Sequence, residues 1–258
     1  MDAKGDSGVL GRDRPAGPLV RLVGVRKVYG HGLAGVHALN DIHLQLAAGE
    51  MVAVCGPSGH GKTSLLNLLA LLETATEGQV EIAGLPTSTL ADSSRAALRA
   101  ELIGHVGQAT TLIPVMTALE NVLLPLTLRL SLHGAMLAEA RALAAELLAR
   151  VGLKTQTHHY PARLDPGQRQ RVAIARALVT QPRLVVADEA TSRLDHGGIR
   201  LVMDLFAAHQ HEFGTAFVLS TRDQRQLSRV TRTLQLNEGR LAGAAAADAP
   251  RRTLRVQR

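Results

Sequence analysis

Two rhythms of apolar and polar positions run along this chain. Continuous apolar runs at residues 51–55 (MVAVC) and 184–188 (LVVAD) have the pattern of strands covered on both faces. Residues 19–28 (LVRLVGVRKV), 79–84 (QVEIAG), 215–220 (TAFVLS) and 233–237 (TLQLN) also predict strands, and residues 42–47 (IHLQLA) alternate with period two. Helical patterns fall between them, at 65–72, 90–101, 167–181, 196–212 and 223–229. Strands alternating with helices predict an α/β fold with a parallel sheet. Residues 109–163 break the alternation. They carry little strand signal and two helical stretches, 118–132 and 135–153, the second an Ala/Leu pattern charged along one side. Pro125 is expected to kink or break the first. This stretch, about 109–165, reads as an inserted helical subdomain within a domain spanning 18–241. The polar, Gly-rich residues 1–17 and the Ala-rich, then basic, residues 242–258 read as tails.

Composition narrows the picture. The 258 residues suffice for one large domain or one core with an inserted subdomain, and 46% apolar content excludes disorder of the whole chain. Aromatics are only 2%, so the core must be built from Leu, Val and Ala, and a nucleic-acid binder that stacks bases on rings is disfavoured. The net charge of +7 favours an anionic partner (phosphate, nucleic acid or a charged membrane surface) without choosing among them. A single cysteine, Cys55, excludes an internal disulfide framework and a cysteine-cluster metal site; inside its strand it reads as a small buried hydrophobe. The N-terminus has no apolar signal-peptide core, and the longest uncharged stretch, 102–119, is too polar to span a bilayer. A cytoplasmic location is expected, with any membrane role reached through a partner.

The candidate chemistry begins at residues 56–64, GPSGHGKTS, which satisfy G-x-x-x-x-G-K-[ST] between an apolar strand and a helix. Gly56, Gly59 and Gly61 let the backbone wrap a phosphate closely, Ser58 and Ser64 add polar groups, and the helix N-terminus favours negative charge. Lys62 would reach the β- and γ-phosphates of a nucleotide and Thr63 would ligate Mg²⁺. A glycine-rich turn that binds nothing is the rival reading; the spacing and flanks weigh against it. The second apolar strand ends in Asp188-Glu189, acids at the carboxyl end of a strand, where open α/β sheets bind ligands. Asp188 would hold Mg²⁺, directly or through water, and Glu189 could polarise an attacking water as general base. Capping of a following helix is the common alternative for such a pair.

Several further segments resemble the ATP-binding subunits of ABC transporters. VRKVYG is similar to the segment whose aromatic, here Tyr29, stacks on adenine. HVGQATTLIPVMTALENVLLPL resembles the Q-loop and the start of the helical subdomain, LDPGQRQRVAIARAL the signature segment and its helix, and TSRLD (residues 191–195) the D-loop. The resemblance runs in order from about residue 19 to residue 241. It is nearest to the branch containing lipoprotein-releasing, macrolide-exporting and cell-division transporters. It implies a P-loop NTPase core with a parallel sheet, an antiparallel β part and an inserted helical subdomain. It also implies two such subunits, homodimer or heterodimer, sandwiching ATP and Mg²⁺ between the phosphate loop of one and the signature of the other. Gln108 would contact Mg²⁺ and sense the nucleotide. A transmembrane permease is the implied partner, received near residues 112–114, which would hold the chain peripherally on the cytoplasmic face; nucleic acid is not expected.

The departures from the family pattern concern catalysis. The usual LSGGQ reads Leu164-Asp165-Pro166-Gly167-Gln168 here. Asp165 would set a carboxylate near the γ-phosphate that the signature contacts across the dimer; like charges about 4 Å apart repel by roughly 1 kcal/mol in water and more when partly buried. Pro166 deletes a backbone N–H. The same residues make a good helix start, with Asp at the N-cap, Pro at the first helical position and Gln three residues after the cap. In the switch after residues 215–220, Arg222 stands where the family has His; it is permanently charged, and grips phosphate or is simply a solvated surface residue. Gly107 replaces a common aromatic and Ala190 a common Pro. Mg-ATP binding is therefore expected through Lys62, Thr63, Gln108, Asp188 and Glu189, with slow or partner-dependent hydrolysis. The alternative is a nucleotide-binding regulatory or scaffold subunit with little turnover. The histidine pairs His158/His159 and His209/His211 lack metal-ligand spacing and read as solvated surface groups.

Overall fold

The computed structural model describes residues 17–30, 35–221 and 224–242. Apart from Gly17 and Ala242, the two expected tails lie outside the described residues, as does Arg222.

Two sheets divide the strands. The first is antiparallel, ordered β2-β1-β4-β5, from β1 (Val20–Tyr29), β2 (Val36–Leu46), β4 (Glu77–Ile82) and β5 (Leu85–Pro86). The second is ordered β10-β9-β3-β8-β7-β6, from β3 (Met51–Cys55), β6 (Ile103–Val106), β7 (Leu184–Asp188), β8 (Ala216–Ser220), β9 (Arg232–Asn237) and β10 (Arg240–Ala242). All its pairings are parallel except β9 with β10.

The apolar runs behave as their composition requires. In β7, Leu184 and Val186 enter one core while Val185 and Ala187 enter the other; β8 divides Ala216 and Val218 from Phe217 and Leu219 in the same way. The first core packs the antiparallel sheet and helix α1 (Lys62–Leu69) against one face of the parallel sheet. The second packs the opposite face against α3 (Ala118–Arg129), α4 (Gly134–Arg150), α5 (Pro166–Leu178) and α6 (His196–Phe213). Among the described residues the remaining α-helices are α2 (Asp92–Leu102) and the four-residue α7 (Gln224–Leu227).

Several local expectations change. α3 continues through Pro125 instead of breaking there, starting from a full capping box between Thr117 and Glu120. Inside it, buried Asn121 holds the preceding loop by accepting from the Ile113 N–H and donating to the carbonyls of Ile113, Met116 and Thr117. β2 starts at Val36, well before the alternating segment, because it pairs with β1 along its length. The short strands β5, β6 and β10 have no counterpart in the sequence pattern. His209 is 2% exposed and not solvated. Cys55 is half-buried, and burial pushes its thiol pKa up against the opposing pull of Lys62.

Candidate nucleotide-binding site

The parallel strands end together. Val54 and Asp188 both lie beside Ser220 in register, so the loop after β3 and the acids after β7 share one edge of the sheet. Gly56, Ser58, Gly59 and Gly61 form that loop, and Lys62, Thr63 and Ser64 the first turn of α1. Gly56, Gly59 and Gly61 all have positive φ. A Cβ added at Gly61 would sit 2.2 Å from Ala38 O, and one at Gly56 would sit 2.0 Å from Leu236 O, so both positions demand glycine on space as well as torsion. Lys62 is buried and folds back over the loop, donating two ammonium protons to Gly56 O (2.8 Å) and Pro57 O (2.7 Å).

The acids meet the loop directly. Thr63 Oγ1 donates to Asp188 Oδ2 at 2.7 Å, and Ser220 Oγ donates to Asp188 Oδ1 at 2.5 Å. Ser220 Oγ also accepts the Glu189 N–H at 2.8 Å. That contact braces a strained residue, since Glu189 has φ +46, a left-handed conformation uncommon for non-glycine residues and concentrated at functional sites. Gln108, just beyond β6, donates through Nε2 to Glu189 Oε2 at 3.3 Å. Hydroxyl, carboxylate and amide oxygens at this point are the hard donors that Mg²⁺ takes.

Lys62, Thr63, Gln108, Asp188 and Glu189 line a cleft of about 310 Å³ together with Tyr29, Val36, His37 and Ala38. Tyr29 stands at the mouth, 38% exposed, at the end of β1. Its Oη donates to Glu73 Oε2 (2.6 Å) and lies 3.2 Å from Ser64 Oγ, while the Lys27 ammonium sits 4.9 Å from its ring centroid. Burial, then the Glu73 hydrogen bond, pushes the Tyr29 pKa up. Burial works against ionisation of Glu73, yet hydrogen bonds from Tyr29, Asn67 and Lys27 outweigh it and hold that carboxyl below its usual range. The Tyr29 ring is thus tied through its hydroxyl to Ser64 of α1 and to Glu73 beyond it.

Asp165, Gly167 and Gln168 do not line this cleft. They open α5 as a capping box: the Gln168 N–H donates to Asp165 Oδ1 at 2.7 Å and the Asp165 N–H to Gln168 Oε1 at 3.1 Å. A Cβ at Gly167 would approach Arg193 O to 3.1 Å, so the signature-like turn lies against residues 191–195. Arg222, expected at the switch, is outside the described residues. Among the described residues no group of three or more His, Cys, Asp or Glu forms a metal site, and no helix is long and apolar enough to cross a membrane.

The family model described as ABC transporter matches residues 39–192, more than half of the chain. This chain belongs to the ABC transporter family. Within that family it is 41% identical over 225 residues to the lipoprotein-releasing system ATP-binding protein LolD of Bordetella pertussis, covering 87% of this chain and 96% of that protein. It is 43% identical over 218 residues to LolD of Pseudomonas syringae pv. tomato (84% and 94%). The macrolide export ATP-binding/permease protein MacB of Hyphomonas neptunium is 38% identical over 239 residues, 90% of this chain but 36% of MacB. Among solved structures, the dimeric ATP-binding cassette MJ0796 bound to ADP and phosphate superimposes with TM-score 0.82 at 37% identity, covering 86% of this chain and 96% of that one. The ABC cassette fold expected from the sequence is therefore present, with its parallel and antiparallel sheets and added helices.

The structure also brings out residues that the sequence did not flag. His105 in β6 reaches within 3.3 Å of where a Cβ on Gly107 would be, so its ring occupies space that a side chain at 107 would claim. Burial pushes its pKa down against an opposing pull from Asp188, with Arg99 and Arg176 adding to the lowering, which favours the neutral ring. Thr110 Oγ1 donates to Gln170 Oε1 at 2.5 Å, tying the Q-loop to α5, and Gln226 Nε2 donates to Thr191 Oγ1 at 2.7 Å, tying the D-loop segment to α7. A polar residue inside an apolar strand was the available signal for His105; the partners of Thr110 and Thr191 had none.

Proposed function

We propose that this chain is the ATP-binding subunit of a lipoprotein-releasing-type transporter, binding Mg-ATP at a shared cassette interface with slow or partner-dependent hydrolysis. The observation that carries the binding half is the convergence of Thr63, Asp188, Glu189 and Gln108 on one cleft, with Thr63 Oγ1 2.7 Å from Asp188 Oδ2. Thr63, Asp188 and Gln108 would hold Mg²⁺, which when bound neutralises phosphate charge during transfer. Gly56, Ser58, Gly59, Gly61 and Ser64 would enclose the phosphates, Lys62 would swing from its loop carbonyls onto them, and Tyr29 would stack on the base. Glu189, with its backbone held by Ser220, would accept a proton from the attacking water. A second cassette supplies the opposing signature, since Asp165, Gly167 and Gln168 stand apart from the chain's own cleft. Exposed apolar side chains on the helical part, Val115 at 82% and Leu128 at 78%, suit a permease partner and a peripheral location on the cytoplasmic face.

The slow-turnover half is supported by the capping box. Asp165 already spends its carboxylate on the Gln168 N–H, and Pro166 has no N–H to offer a phosphate. This also favours the second reading, a subunit that closes on ATP to regulate or scaffold with little turnover. Measuring Mg-ATP binding and hydrolysis separately on the purified chain, with and without its co-purified membrane partner, tests both. Binding with slow hydrolysis that the partner accelerates is the expected result; binding with no hydrolysis in either state favours the regulatory reading. Absence of binding defeats both, and turnover at ordinary transporter rates by the chain alone defeats the slow-hydrolysis claim. Replacing Asp165→Ser, Pro166→Gly and Arg222→His together should raise the rate.

A further inference from the structure

We propose that His60 is a positioning residue whose ring ties the phosphate loop to the β9–β10 hairpin, so that this C-terminal hairpin holds the loop in its binding shape. The role rests on reading residues 56–64 as the ATP phosphate site. Glu238 and Gly239 form a two-residue hairpin turn with φ +47 and +71, as a type I′ turn requires. The N–H of the first turn residue has no ladder partner in such a turn. Here the Glu238 N–H donates to His60 Nδ1 at 2.9 Å, and the Gly239 N–H donates to His60 O at 3.2 Å. Because Nδ1 accepts, the ring proton sits on Nε2.

Steric contacts lock the same elements together. Gly239 O accepts the Asn40 N–H at 2.8 Å, and a Cβ at Gly239 would approach Ala38 O to 2.7 Å. Gly61 presses on that same carbonyl, and Gly56 on Leu236 O of β9. The loop therefore abuts β9 of the hairpin at Gly56 and β2 at Gly61. His60 lies between Gly59 and Gly61, at φ +79 and +96, the part of the loop with the most backbone freedom. Its ring supplies a side-chain anchor there, two residues before Lys62. A loop held in its bound shape loses less conformational entropy when phosphate arrives, which raises affinity.

Side-chain geometry provides the test. Asn carries its amide near the position of Nδ1 and can accept the Glu238 N–H; Gln carries its amide near Nε2, and Leu cannot accept at all. Equilibrium Mg-ATP binding is measured for the full-length wild type, His60→Asn, His60→Gln and His60→Leu, together with hydrogen exchange at the Glu238 amide and thermal unfolding. His60→Gln and His60→Leu are expected to weaken binding about five-fold, the net worth of one hydrogen bond, and to lose Glu238 protection. His60→Asn is expected to recover most of both. Equal affinities and equal protection across the four proteins overturn the role, as does loss of affinity in His60→Asn matching that in His60→Leu. Failure of the wild type to bind Mg-ATP instead overturns the phosphate-site reading, and Glu238 exchange then still decides whether His60 anchors the hairpin.

Discussion

Ser220 shows how much of this site depends on a single hydroxyl. It closes β8, is 2% exposed, and serves Asp188 and the strained Glu189 at once, donating to a carboxylate oxygen and accepting a backbone N–H. Removing it leaves Asp188 Oδ1 and the Glu189 N–H without this partner at a buried strand end. Ser220→Ala is therefore expected to cost about 2 kcal/mol, the desolvation penalty of stranded polar groups. Urea unfolding checks this, and an unchanged midpoint and slope would remove Ser220 from the structural account. In the sequence Ser220 is only the last letter of a strand. Its role comes from the parallel register that sets it beside both Val54 and Asp188. Lys62 and Thr63 were legible because G-x-x-x-x-G-K-[ST] carries those types at that spacing, and Asp188 because it ends an apolar strand.

Among the elements, α5 is the clearest case of local information deciding local structure. A capping box needs only two residues three apart, and Asp165 with Gln168 forms both of its hydrogen bonds. Asp165→Ala should lower stability by about 1 kcal/mol, whereas Asp165→Ser, which keeps a capping oxygen, should change it by a few tenths. Chemical denaturation of the two variants separates these outcomes, and equal losses would mean that the carboxylate acts by its charge. Contrast β6 and β10, of four and three residues, too short for any period to register. β6 exists because β7 offers it an edge, and Gly104 is required because a Cβ there would meet Ala177 O of α5 at 2.2 Å. Pro125 likewise does not end its helix: α3 is held by its N-terminal cap and by packing into the second core, and runs on through the imide.

At the scale of the whole molecule, the two cores share one parallel sheet, and a buried titratable group inside one of them makes global stability depend on pH. His209, on the inner face of α6, packs tilted against Phe213 with ring centroids 4.9 Å apart, and its Nδ1 is buried without a hydrogen-bond partner among the described residues. Burial, aided by Arg150, pushes its pKa down to about 4. The unfolded chain keeps the ordinary histidine value near 6.5 and so binds the proton first as pH falls. This contribution to stability is complete above about pH 6.5 and is lost towards pH 4, at up to ~1.4 kcal/mol per pH unit. His209→Leu should flatten the unfolding free energy of the variant relative to wild type across that window. A constant difference between the two proteins from pH 7 to pH 4.5 would show that the ring does not titrate with folding.

The sequence by itself determined the chemistry-bearing loop, the acids after the second apolar strand, the capped signature-like helix and the α/β rhythm. Each is written in residues close together along the chain, where spacing or capping acts without help from elsewhere. Only the tertiary structure decided which side chains brace those groups. Ser220 under Asp188, Glu73 under Tyr29, His105 in the space beside Gly107 and His60 against the β9–β10 turn are contacts between segments far apart in sequence. They arise from strand order and register, which set the meeting points of side chains that no local pattern relates.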